Sequence, residues 1–293
     1  MPSIRQFLLV GAVIATVVLW ASSFVGIRAA LGAYSPTHLA LLRFLVAALA
    51  LLAYAITQRV PRPKLKDLPM IALSGGIGIT IYNLALNAGE QTITAGAASL
   101  LVNTVPIWTA ILASIFLKET CSWQSWLGIA TSFTGAAVIA LGEGRQMDIN
   151  WGVGLVLLAA IAQAVYFVMS KPYLRQYRPI EFTIYALLSG AVFLLPFAKG
   201  LIETVATASP SATAAVVYLG IGPAAIAYFT WSYVLAHVPA AQATSFLYGV
   251  PVVTIVIAWI WLQEVPSLTS LLGGSIAIIG VLLVNTHKHQ SRN

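Results

Sequence analysis

Apolar stretches of about 20 residues recur from one end of this chain to the other, each long enough to cross a hydrocarbon core of about 30 Å. Their boundaries at charge, proline or polar clusters predict ten helices. These run near 6–28, 37–57, 68–88, 94–116, 122–141, 151–170, 180–197, 212–236, 241–262 and 268–285. The connections are short, the longest lying near 58–67 and 198–211, so no extramembrane domain is expected to carry separate chemistry. Only 8% of the 293 residues are charged, against about 25% in a soluble domain. That shortage excludes a soluble enzyme, a secreted disulfide scaffold and a nucleic-acid-binding domain. The single cysteine, Cys121, makes no internal disulfide or metal cage. Arg5 and the apolar run behind it resemble a signal peptide. The run reaches about Ile27, beyond an h-region of about 7–15 residues, and reads as a retained first helix.

The net charge of +7 is explained by where the cations fall. Alternate connections collect Arg5, Arg59, Arg62, Lys64, Lys66, Lys118, Lys171, Arg175, Arg178, Lys288 and Arg292 on one side, against Arg28, Arg145 and Lys199 on the other. Positive loops stay inside. The expectation is a multi-pass protein of the cell inner (plasma) membrane with both termini cytoplasmic, in contact with lipid and not with nucleic acid.

The second half of the sequence repeats the first. At an offset of 145, Pro106, Leu117, Glu119, Ser122, Ser125, Leu127, Gly128 and Gly135 fall on Pro251, Leu262, Glu264, Ser267, Ser270, Leu272, Gly273 and Gly280. At 143, Phe24, Arg28 and Pro36 fall on Phe167, Lys171 and Pro179. The segment Gly76-Ile77-Gly78 likewise has a twin in Gly220-Ile221-Gly222. Five helices per half is odd, so the second half enters the membrane upside down. The fold class expected is an all-α membrane protein of ten transmembrane helices in two inverted five-helix repeats, divided as 1–146 and 147–293. Inverted repeats of this kind build secondary transporters that hold solute near the midplane between the halves.

The 5+5 repeat, the Leu19-Trp20-Ala21-Ser22-Ser23-Phe24 segment and the proline-to-glutamate spacing ending helices 4 and 9 resemble the drug/metabolite transporter superfamily. Within it the chain resembles the EamA-type exporters over essentially its full length, with a likeness to the bacterial YddG-like amino-acid exporters. That resemblance implies efflux of aromatic and other neutral amino acids. The superfamily also exports nucleosides, drugs and sugar phosphates on the same helices, so another small amphipathic metabolite or drug is the alternative.

Polar residues inside a span usually face a cavity or another helix. Thr80, Asn83 and Asn87 lie on one face of helix 3 beside Tyr82; Ser99 and Asn103 precede Pro106; Gln163, Tyr166 and Ser170 form a second stripe. Helix 8 supplies Tyr228, Trp231 and Ser232, helix 9 Ser245 and Tyr248, and helix 1 Trp20, Ser22 and Ser23. The expected substrate-binding set is Trp20, Ser23, Tyr82, Asn83, Asn87, Asn103, Gln163, Tyr166, Tyr228, Trp231 and Tyr248; the competing role for each is hydrogen bonding between helices. No Asp, Glu, Lys or His falls near mid-span, and paired cations for a strongly anionic solute are absent at depth. Aromatic faces for an ammonium group and amides for a carboxylate suit a zwitterion.

Pro106 and Pro251 each sit about halfway along a span and predict kinks, either hinges of a gate or fixed bends shaping the cavity. Arg43 lies six or seven residues into helix 2; it either snorkels to the surface or contacts solute at the outer gate. Glu119 and Glu264 end their helices, where negative charge opposes the helix dipole, so a compensating partner is expected. All eight acids are placed in loops or at helix ends, which predicts facilitative transport without a buried carboxylate for proton coupling. No catalytic residues, metal or cofactor are expected, because no nucleophile, metal or paired-carboxylate motif is present. A single chain is the expected unit. A non-transporting receptor or scaffold would have no need of two matched halves.

Overall fold

The computed structural model describes residues 4–116, 123–143, 150–238, 243 and 246–286. Glu119, Cys121, Arg145 and Ser245 lie outside these residues. Ten long helical segments follow one another: α1 (Ile4–Ala30), α2 (Pro36–Thr57), α3 (Leu68–Gly89), α4 (Ala95–Phe116), α5 (Trp123–Glu143), α6 (Trp151–Tyr173), α7 (Pro179–Leu194), α8 (Pro210–His237), α9 (Gly249–Leu262) and α10 (Leu268–Thr286). Among the described residues, seven helices are long and apolar enough to cross a membrane; shorter apolar stretches, Trp126–Ile139, Phe246–Leu262 and Leu268–Gly280, lie in α5, at α9 and in α10. The chain is an all-α membrane protein built as two inverted five-helix repeats. The connection after α7, expected as a loop over 198–211, also holds a short helix, Leu201–Thr207.

Helix starts are written locally. Ser35, Thr94 and Ser209 each accept a hydrogen bond from a backbone N–H of the first turn that follows, satisfying a donor that no helix can pair internally. Pro36, Pro179 and Pro210 stand at the first helical position, where a missing N–H costs nothing.

The repeat shows itself in matched irregularities. α3 widens into a π-helical stretch at Gly76–Ile81 and α8 does so at Gly220–Ile226, the twin Gly-Ile-Gly segments. The wide turns admit neighbours closely: a Cβ on Gly78 would strike the Tyr166 side chain of α6, and one on Gly220 would lie 2.6 Å from the Arg43 carbonyl of α2. α5 and α10 pack against each other along their lengths. A Cβ on Gly280 would lie 2.5 Å from Gly128 O, and one on Gly273 would lie 2.6 Å from Gly135 O. Numbers rise along one helix as they fall along the other, and each glycine meets the twin of the other glycine on its own helix, as an inverted repeat requires. Ser132 Oγ donates to Ala277 O across the same seam at 2.7 Å. Gly135→Leu is expected to break this seam, because overpacking costs about 1–3 kcal/mol even where side chains can yield, and here the obstacle is backbone. Size-exclusion profile and thermal midpoint of the purified protein check it; an unchanged midpoint would show that the helices can part.

At the bundle end carrying Asp67, Tyr177 ties the two halves together. Its hydroxyl donates to Asp67 Oδ2 at 2.6 Å and accepts from Lys64 N at 3.1 Å. Donation to the carboxylate pushes Tyr177 above the ordinary phenol range.

Candidate functional site

Between the repeats lies a pocket lined by residues of both halves. α1 contributes Trp20, Ser23 and Phe24, α2 contributes Arg43, and α3 contributes Tyr82 and Leu86. Ser99, Val102, Asn103, Val105 and Pro106 of α4 form another wall; Gln163, Phe167, Tyr228, Leu247 and Val250 complete it. The lining follows the repeat: Trp20 and Phe24 answer to Gln163 and Phe167 at the offset of 143, Val102 and Val105 to Leu247 and Val250 at 145. The pocket therefore straddles the axis relating the halves.

Six residues of the expected set line it: Trp20, Ser23, Tyr82, Asn103, Gln163 and Tyr228. The Trp20 ring is nearly parallel to Phe167, centroids 6.3 Å apart, and lies 5.7 Å from Tyr228. Its Nε1 donates to Pro223 O at 3.2 Å, anchoring α1 on the widened turn of α8. Tyr228 donates to Gly78 O at 3.2 Å, the counterpart anchor on the widened turn of α3. Asn103 keeps both side-chain polar atoms unpaired, and Gln163 its Oε1, although both residues are buried. Buried amides normally find partners, so these atoms are available to a solute.

The other five stand behind the lining. Asn83 Oδ1 accepts from Arg43 Nη1 at 3.0 Å while its Nδ2 donates to Ile79 O. Asn87 Nδ2 donates to Pro36 O at 3.0 Å, tying α3 to the start of α2. Tyr166 packs on Gly78, and Trp231 supports Trp20 and Phe167 at 5.4 and 5.0 Å. Tyr248 packs instead with Ile107, Ala110 and Ile129. Thr80, Ser22 and Ser232 bond to other helices, through Gly190 O, Tyr218 and Thr183 respectively.

Three expectations are corrected. Pro106 and Pro251 do not kink continuous helices. α4 stops at Val102 and restarts at Val105 after a turn at Asn103 and Thr104, so Pro106 is the second residue of the new segment. Pro251 is likewise the third residue of α9, after the tight turn Phe246–Tyr248. Proline tolerates a first helical turn and not an interior one. Second, Arg43 does not snorkel. It is 2% exposed, about 10 Å along the axis from the start of α2 at 1.5 Å per residue. Its Nη1 is held by Asn83, its Nε has no partner, and it lies over the Phe44 ring. Third, the acids are not all clear of the interior: Glu90 is fully buried at the end of α3.

At that end of the bundle the partner expected for Glu264 is Arg28. Arg28 Nε lies 3.0 Å from Glu264 Oε1, and its Nη1 donates to the carbonyls of Glu90 and Gln91 at 2.6 and 3.3 Å. Ala95 N donates to Glu264 Oε2 at 3.4 Å, so one clasp joins α1, α3, α4 and α9. Gln263, at φ 55°, ends α9 in the left-handed conformation just before Glu264. At the other end Lys171, the twin of Arg28, donates to the carbonyls of Leu235 and Val238 where α8 ends. Sequence reasoning offered solute contact for Arg43 only as the alternative to snorkelling, and missed Glu90 as a buried residue. The signal available for Arg43 was its depth, two turns into an apolar span with no other charge.

A pocket on the axis between two inverted helical repeats, with unpaired polar groups turned into it, defines a multi-pass membrane carrier. The EamA-like transporter family matches twice, at residues 8–141 and 150–286, and the chain belongs to that family. It is 43% identical over 263 residues to the "Uncharacterized transporter YdfC" of Bacillus subtilis (strain 168), covering 90% of this chain and 86% of that one. It is also 43% identical over 278 residues to a "Probable terminal-alkyne amino-acid exporter" of Streptantibioticus cattleyicolor, covering 94% and 93%. A crystal structure sharing 16% identity has the same fold, with a TM-score of 0.66 over 96% of this chain and 98% of its own.

Proposed function

We propose that this chain exports amino acids, broadly the aromatic and other neutral ones, from the cytoplasm by alternating access. The observation that carries the reading is the buried Arg43 guanidinium, with Nε unpaired, set in an otherwise aromatic and amide-lined pocket. One cation without an opposing carboxylate suits a solute bearing a single negative group, because a bidentate carboxylate pairs well with guanidinium. Trp20 and Tyr228 offer faces for an ammonium group or an aromatic side chain. Asn103 and Gln163 supply adaptable hydrogen bonds. A relative at 43% identity named as a probable amino-acid exporter supports the same class.

Trp20, Ser23, Tyr82, Asn103, Gln163 and Tyr228 would touch the solute, and Asn83, Asn87, Tyr166 and Trp231 would position those that do. The helix breaks ahead of Pro106 and Pro251 are where α4 and α9 would bend as the halves rock. The repeats would divide as 1–146 and 147–293, in the inner membrane, with both termini cytoplasmic and the Arg28–Glu264 clasp at the outer face.

Counterflow in proteoliposomes tests the substrate class. Vesicles preloaded with unlabelled phenylalanine are expected to accumulate labelled phenylalanine transiently, with neutral amino acids competing and nucleosides and cationic drugs not. Competition by nucleosides or drugs alone would overturn the amino-acid reading.

A further inference from the structure

Tyr82, Leu86 and Glu90 follow one another at four-residue spacing on one face of α3. The first two line the pocket. Glu90 comes one turn later, between the pocket and the clasp, where its own main-chain oxygen receives Arg28. Its side chain is 0% exposed and neither carboxylate oxygen has a hydrogen-bond partner. The helix end does not require an acid: at the offset of 145 the equivalent residue is Leu235, whose carbonyl accepts from Lys171 just as that of Glu90 accepts from Arg28. Both ends thus share the backbone contact, and one of them adds a carboxyl group.

Three charged side chains and one phenol act on that group: Arg28 from α1, Glu264 after α9, Arg43 from α2 and Tyr82 from its own helix. Arg28 and Glu264 already neutralise each other at 3.0 Å. Arg43 is engaged by Asn83. An ionised Glu90 would be a fully buried carboxylate with no hydrogen-bond partner on either oxygen, which a protein interior strongly disfavours. Ionised, it would instead compete with Glu264 for Arg28, which needs only to turn from the Glu90 carbonyl to the Glu90 carboxylate.

We propose that Glu90 is a proton-binding site that governs the exit gate: closing the Arg28–Glu264 clasp takes up one proton on the Glu90 carboxylate, and losing that proton to solvent releases the clasp. The ligand is a proton and not a metal cation, because the Arg28 guanidinium on the same residue repels a second fixed positive charge. The sign follows from the neutral form belonging to the closed clasp: acid closes the gate and alkali opens it. One proton per closure changes the closed-to-open ratio by at most about tenfold per pH unit. The name of exit gate rests on the transport reading above; the proton site does not.

The test measures the gate without any solute. Spin labels at Gln91→Cys and Val265→Cys, both exposed and flanking the clasp, are placed in a Cys121→Ser background in lipid nanodiscs. Distances are read by double electron–electron resonance from pH 5 to pH 9. The short-distance population is expected to grow as pH falls, and Glu90→Gln is expected to hold it at every pH. Glu90→Leu, which copies the second repeat, is the second variant and is expected to do the same. Distances that ignore pH in the unmodified protein, or that titrate equally in both variants, would overturn the proposal. So would a short population that follows sodium concentration at constant pH. Amino-acid counterflow can fail while this titration succeeds, and the reverse, so the two proposals fail separately.

Discussion

Arg43→Met is expected to weaken amino-acid binding by about ten- to 150-fold while leaving the protein folded. A hydrogen bond to a charged group contributes about 1.5–3 kcal/mol, and each 1.4 kcal/mol is about a factor of ten in affinity. The fold tolerates the change because a buried cation contributes little net stability once its desolvation is counted, and methionine fills much of the same volume. The cost is an orphaned Asn83 Oδ1, which now accepts from Arg43; Asn83→Leu in the same chain removes it. Competition of unlabelled amino acids against counterflow reads the affinity. The decisive comparison is between phenylalanine and its decarboxylated amine. The unmodified protein should prefer the amino acid strongly, and the Arg43→Met protein should lose that preference. An unchanged preference would make Arg43 a structural cation and move the carboxylate site to Asn103 and Gln163. Arg43→Lys keeps the charge without the planar fork and should fall between the two.

The second large effect belongs to Trp20. Its ring packs against Phe167, Tyr228 and Trp231, and its Nε1 fastens α1 to the irregular turn of α8 at Pro223. Trp20→Ala is expected to cost about 3–5 kcal/mol, the usual range for truncating a packed aromatic, and to lower the thermal midpoint and the counterflow rate together. Trp20→Phe retains a ring but loses the Pro223 bond. It should recover most of the stability and transport if stacking dominates. A Phe variant as inactive as the Ala variant, at a normal midpoint, would show that the bond between α1 and α8 matters more than the aromatic face. Trp231→Phe separates lining from support. Trp231 is 1% exposed behind Trp20 and Phe167, so its loss should change stability with little change in substrate preference.

The sequence by itself determined the membrane class, the ten-helix organisation, the inverted repeat and the family. These rest on features that survive in one dimension: length of apolar runs, alternation of loop charge, and a constant offset between matched residues. Six of the eleven residues it proposed for binding stand on the pocket wall. The amides of Asn103 and Gln163 are costly in lipid, so their presence in spans already argued for a cavity. The choice between wall and support was not legible. Asn83 and Tyr82 are neighbours about 100° apart on the helix, yet which of them faces the pocket and which holds Arg43 depends on how α3, with its π-helical stretch Gly76–Ile81, is rotated in the bundle. A helical period gives relative directions along α3 and not the rotation of the helix against its neighbours. Tertiary structure alone decided the roles of the two decisive charges. Glu90 looks like a surface group when counted from the end of its helix, and Arg43, two turns in, looks able to reach the surface on its long stem. Both become interior because the other repeat and the neighbouring helices close over those ends, leaving Arg43 2% and Glu90 0% exposed. Depth along one helix measures distance to lipid headgroups; burial depends on what the rest of the bundle places in between.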